Sequence, residues 1–241
     1  MNTIPPPPEW GKDKLSEYLE AVRNNYFAGY VTNRHRYGHL REIDGCFVRI
    51  LDGWINPPEP LTASLFYRSH SAFRTAAGQS LAGQLVEAYA VMRLCLEFAG
   101  YGLHIFANPA LGMTWINRHQ DQASFGGSIG EFTRGKIRAT ISAHDSRLSD
   151  AYEMLYLRAV DFGAHPNERS VSGAMNIIDE TDQSRFVHAH LQGPGLAMEH
   201  ALKTTAQVGV CALRLMQFFV PARFELLGVK HRLQTLRKQD I

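Results

Sequence analysis

The stretch QSLAGQLVEAYAVMRLCLEFAGYGLHIF, Gln79–Phe106, decides the fold. Its apolar residues recur at helical spacing, and the face opposite them is also small or apolar at Gly83, Val86, Ala90 and Leu94. A helix apolar on more than one side is packed on more than one side, so this segment reads as the centre of a bundle. Its charged residues are Glu87, Arg93 and Glu97. Arg93 and Glu97 stand i, i+4, and His104 lies within about 20° of the Arg93 direction. Such groups need partners, because an unpaired buried charge costs several kcal/mol. They form either an intrahelical ion pair that also holds a neighbouring loop or one wall of a polar pocket. If Arg93 is buried, Glu97→Ala should cost ~2 to 4 kcal/mol.

Upstream, the helical period extends from Leu65, giving one long helix or two that meet near Gly78–Gly83, with Thr62 as the cap. Further upstream, Leu15, Leu19 and Val22 mark one amphipathic helix and Phe47, Val48, Ile50, Leu51 and Trp54 another, ended by Asn56-Pro57-Pro58. Pro5–Pro8 place residues 1–11 in a flexible Pro-rich leader, leaving 12–241 as a single helical domain. Downstream, Asn108-Pro109 closes the central segment and a short helix follows near Trp115. Gly126, Gly127 and Gly130 break the chain before helices around Ile137–Ile141 and Ser149–Phe162. The period then drops to two in VSGAMNII and SRFVHAHL, predicting a small β-hairpin near residues 170–192. Gly193-Pro194-Gly195 launches a last long helix to Val220, and Pro221 starts another. The fold class is therefore mainly α, a multi-helix bundle with one β insertion.

Composition fits a globular domain: 241 residues, 45% hydrophobic, 20% charged, net charge +2. That balance gives no net electrostatic reason to expect nucleic acid, DNA included, or an acidic membrane as partner. Cys46, Cys95 and Cys211 are scattered in apolar surroundings, as expected of core thiols in a reducing compartment. The start lacks a secretory pattern and no uncharged run reaches the ~18 to 20 residues of a spanning helix, so the expected location is cytoplasmic. No metal or other cofactor is expected. His35 and His39, and His188 and His190, have ligand spacing, but HRYGH lacks the glutamate of HExxH and no cysteine or carboxylate pair accompanies it. Neither a phosphate loop nor a GxSxG elbow occurs.

The segment SDAYEMLYLRAVDFGAHPN, Ser149–Asn167, carries the other candidate chemistry. Arg158, Asp161 and His165 stand i, i+3 and i+7, on one stripe if the turn stays helical. Together they offer a guanidinium for phosphate or carboxylate, an acid, and a group titrating near neutrality. Pro166 disfavours helical geometry at His165, which makes capping of the helix end the competing reading.

Gly83, Glu87, Arg93, Glu97, Tyr156, His165 and Pro166 together resemble the pattern of a group of bacterial helical proteins: a glycine, an ExxxxxRxxxE helix, then a Tyr-rich helix ending in His-Pro. The resemblance spans roughly residues 69–167. That group is similar to the HEPN superfamily, helical bundles that include metal-independent ribonucleases of toxin and phage-defence systems, marked by Arg, four to six residues, then His. Arg158 and His165 have six residues between them, although Ala159 stands where the family carries a polar residue. The resemblance implies His165 in proton transfer, Arg158 on the phosphorane, RNA as substrate and a homodimer as assembly. Two function classes follow. One is a binding or regulatory module in which Glu87, Arg93, Glu97, His104 and Tyr156 form a buried polar network; the alternative is a HEPN-type ribonuclease acting through Arg158, Asp161 and His165.

Overall fold

The structure, a computed structural model, describes residues 5–180 and 183–237. Its described residues form twelve α-helices and one two-stranded antiparallel sheet. In chain order these are α1 (Lys14–Thr32), α2 (Arg34–Leu51), α3 (Pro60–Ala82), α4 (Leu85–Ala107), α5 (Ala110–Ile116), α6 (Gln122–Glu131), α7 (Arg134–His144) and α8 (Ser146–Ala159). A π turn (Val160–Ala164), α9 (Glu168–Ser172), β1 (Met175–Glu180), β2 (Gln183–His188), α10 (Leu196–Phe219), α11 (Pro221–Leu226) and α12 (Val229–Arg237) follow.

The quoted stretch is two elements. Gly83 takes a left-handed φ of 80° and ends α3, so α3 and α4 fold back as an antiparallel helical hairpin. Ser69 Oγ donates to the Cys95 carbonyl at 2.9 Å across that pair. The other long helix, α10, packs on both α3 and α4, while α7 and α8 cover the far side of α4. Phe66, Met92, Leu96, Leu103, Leu213 and Met216 fill the space between them, each fully buried. By length and a mean hydropathy of 1.2, α4 could cross a bilayer; half of that apolar window is buried among its neighbours.

Polar side chains fix the helix starts. Asp13 accepts from the Leu15 and Ser16 amides, Asp121 from Ser124, and Asp145 from Leu148. Asp121 also explains a correction: Gly126, Gly127 and Gly130 lie inside α6 rather than breaking the chain, on a helix whose glycines face open space. Thr62 is likewise no cap; Pro60 occupies the first turn of α3 and Thr62 is fully buried behind it. The hairpin pairs Ile177 with Phe186 and Ile178 with Arg185, and stands outside the bundle with all of β2 exposed. Of the leader, the described end folds back: the Trp10 indole donates to Glu20 at 3.2 Å and the Gly11 amide to Ser16 Oγ at 3.0 Å.

Asp44 pins α2 to α3. Its Oδ1 meets His70 Nε2 at 2.6 Å and Arg74 Nε at 2.6 Å, and Arg74 Nη2 reaches Oδ2 at 3.0 Å. His70 stacks on Phe47 with ring centroids 4.8 Å apart. Burial pushes the Asp44 carboxyl up, but the hydrogen bonds from His70 and Arg74 and the adjacent positive charge outweigh it and hold it well below the usual carboxylate range. A depressed carboxylate contributes stability that is present above its unfolded value of ~4 and is lost as pH falls through the folded value. Asp44→Asn is therefore expected to lower the urea midpoint at pH 7 by the equivalent of ~1 to 2 kcal/mol and to flatten the fall of stability below pH ~4. An unchanged acid limb would remove Asp44 from that role.

Candidate ligand-binding site

A cavity of about 570 Å³ opens where α4, the π turn, α9 and the start of α10 meet. The local sequence builds each wall. Helix α8 ends at Ala159, and Gly163, non-helical, seats its backbone against α4: a Cβ there would sit 2.0 Å from the Val86 carbonyl oxygen. Between them the chain widens into the π turn, and His165, ahead of Pro166, is extended at φ −150° and ψ 138°. This turn throws Phe162 onto the Tyr89 ring at 5.2 Å and close to His200 at 5.5 Å. Leu85, Val86, Leu196 and Ala197 complete an apolar lining, with Gln192 and Arg169 beside it. The Arg169 guanidinium lies 5.7 Å above the Phe162 ring and is loosely paired with Asp161 at 3.7 Å.

Within this lining Tyr89 Oη and His200 Nδ1 are 2.7 Å apart. Burial pushes the Tyr89 phenol up to about 12, against the opposing pull of the Thr204 hydroxyl and the Arg158 charge. His200 is pushed down, first by burial and then by Arg158 and Lys203, so the imidazole is neutral at pH 7. A neutral phenol and a neutral imidazole keep one donor and one acceptor outside their shared bond in either tautomer. Such a pair can meet a polar group beside an apolar surface. A phenol pushed that high is not ionised at neutral pH.

The residues singled out from sequence fall elsewhere. Arg93, Glu97 and Tyr156 do come together: Arg93 Nε and Tyr156 Oη both donate to Glu97 Oε1, at 2.8 and 3.0 Å. Arg93 also donates to the Ala164 carbonyl at 3.3 Å and lies 5.1 Å over the Tyr156 ring. This cluster ties α4 to α8 and to the end of the π turn. Its Arg93 and Glu97 side chains are 32% and 25% exposed, so the network is half-buried. Half-burial lowers the expected cost of Glu97→Ala to ~1 to 2 kcal/mol, as solvent partly replaces the lost acceptor. A chemical-denaturation midpoint checks this; no change would mean that water already satisfies both donors.

His104 is not part of that cluster. It is buried beside Thr140, whose hydroxyl lies 2.6 Å from Nδ1, and burial pushes its pKa down. Glu87 is exposed, beside a hollow of about 170 Å³ that His188 and His190 also line. Arg158 is half-buried and donates to Gln207 at 2.8 Å and to Thr204 at 3.4 Å. Asp161 and His165 are exposed, and His165 Nδ1 lies 3.1 Å from the Pro166 carbonyl oxygen. Among the described residues no hydrogen bond or ion pair joins Arg158, Asp161 and His165 to one another, nor do three His, Cys, Asp or Glu side chains gather as a metal would need. The His35 and His39 rings are 4.4 Å apart, and those of His188 and His190 5.1 Å.

Sequence reasoning missed Tyr89, Phe162 and His200. Tyr89 and His200 are single polar groups in apolar helices 111 residues apart, so no local spacing marks them. The one usable signal is Gly163 before His165-Pro166, which ends a helix and can aim the residue ahead of it. Compared with known protein families, curated proteins and solved structures, the chain matches none.

Proposed function

We propose that this protein is a binding module, a helical bundle of HEPN-like kind, that holds a small and mainly apolar molecule in the cavity between α4, the π turn and α10. The observation that carries this reading is the cavity itself, about 570 Å³, apolar in its lining, with the Tyr89–His200 pair in its wall. Ligand sites are typically pockets of about 300 to 1,000 Å³ with few polar groups. Arg169, exposed and only loosely paired, adds a cation beside the cavity for a ligand bearing a carboxylate.

The ribonuclease reading is the weaker proposal. It asks Arg158 and His165 to face one phosphate, whereas the guanidinium is engaged by α10 and the imidazole by its own neighbour's carbonyl. The near-neutral charge of the chain argues the same way.

The test uses 8-anilinonaphthalene-1-sulfonate as an apolar, anionic probe. Saturable fluorescence enhancement is expected, weakened at least tenfold by Ala197→Trp, which fills the cavity from an exposed position. His165→Ala should leave both probe binding and melting temperature unchanged. Probe binding indifferent to Ala197→Trp would defeat the binding-module reading. Chelator-resistant cleavage of single-stranded RNA, lost in a folded His165→Ala variant, would replace it with the enzyme.

A further inference from the structure

The most buried helix of the bundle keeps one polar stripe. From Ala201 to Gln217 every residue of α10 is buried except Lys203, Gln207, Arg214 and Gln217. Their spacings of four, seven and three place them on a single face. Gln207, Arg214 and Gln217 of that face form the floor of a groove walled by α8 on one side and α12 on the other, containing two adjoining hollows of about 180 Å³ that share Arg214 and Arg237.

The groove is cationic. Arg147 comes from α8, Arg214 from α10, and Lys230 and Arg237 from α12. Two of these charges are compensated, Arg214 by Asp145 at 2.8 Å and Lys230 by Glu225 at 2.8 Å. Arg147 and Arg237 are exposed and have no acidic partner within ion-pair distance among the described residues. At the Gln207 end, the partners of Arg158 among the described residues are neutral too: Gln207, Thr204 and the Met154 sulfur at 3.8 Å. In a chain of net charge +2, three guanidiniums around one groove with no acidic partner among the described residues are a local excess. Between them Ala151, Leu155, Val210 and Cys211 make the first hollow apolar.

We infer that this groove binds a compact phosphate monoester, its apolar or aromatic body on Ala151 and Val210 and its phosphate between Arg147, Arg214 and Arg237. Guanidinium forks match phosphate oxygens in pairs, and the hollow admits a single ring rather than a folded partner. This site is separate from the Tyr89–His200 cavity, and each stands if the other fails.

Calorimetric titration of the whole protein with phenyl phosphate tests it. Saturable, salt-sensitive binding is expected, weakened about tenfold by Arg147→Gln and about tenfold by Arg237→Gln, both at exposed positions where melting temperature should not move. Inorganic phosphate should bind at least tenfold more weakly than phenyl phosphate, and Ala151→Phe should abolish that preference. The inference is overturned by absence of binding, by unchanged affinity in both glutamine variants, by equal affinity for inorganic phosphate, or by binding of single-stranded RNA alone.

Discussion

Gly163→Ala is expected to destabilise the protein by about 3 kcal/mol and to abolish probe binding in the apolar cavity. The φ of Gly163, 170°, is open to any residue; the difficulty is proximity. An added Cβ would lie 2.0 Å from the Val86 carbonyl oxygen and 2.8 and 3.0 Å from the Val86 C and Cα. All three are backbone atoms of α4, which is locked between α3 and α10 and cannot yield. The π turn must therefore lift off, taking Phe162 from its stack on Tyr89 and opening one wall of the cavity. Equilibrium urea unfolding and the naphthalene-sulfonate titration read the two effects separately. A midpoint within ~0.5 kcal/mol of the parent would mean that the turn is not seated on α4 at all.

That close approach also marks where the sequence stops being readable. The helices of the core were legible because burial on several sides leaves long apolar periods, as in Leu85–Ala107 and Leu196–Phe219. The hairpin was legible because its period changes to two. Gly126, Gly127 and Gly130 misled because glycine breaks a helix only when nothing else holds the segment, and here Asp121 caps it. The stripe of Arg158, Asp161 and His165 depended on an unbroken turn of 3.6 residues. Widening at Val160–Ala164 and the extended backbone before Pro166 set the three side chains on different partners. Arg93 and Glu97 could be paired from spacing alone, but their third member, Tyr156, comes from another helix. Tyr89, Phe162 and His200 meet only through the tertiary fold, so periodicity could not have assembled them.

Gly83→Ala is expected to cost about 3 kcal/mol as well, by a different route whose parts can be separated. Gly83 takes φ 80°, and its amide and that of Gln84 close the end of α3 on the Ser80 and Gln79 carbonyls, at 3.3 and 3.0 Å. An alanine held in this left-handed region costs ~1 kcal/mol by itself. The remainder is steric: the new Cβ would stand 2.0 Å from the Gln192 carbonyl oxygen, on the segment that leaves the hairpin, while the Gln192 amide donates to the Gly83 carbonyl at 2.9 Å. The two backbones cannot part without losing that bond, nor stay without a clash. Gly53 supplies the control, with φ 60° and open space where its Cβ would go. Gly53→Ala should therefore cost only the ~1 kcal/mol of conformational strain, and the difference between the two variants measures the contact with Gln192. Hydrogen exchange should show the loss as faster exchange of the Gln192 amide in Gly83→Ala, with α4 and α10 still protected. Equal destabilisation by the two alanines would mean that the segment after the hairpin does not rest on the α3–α4 turn, and the cavity wall that includes Gln192 would go with it.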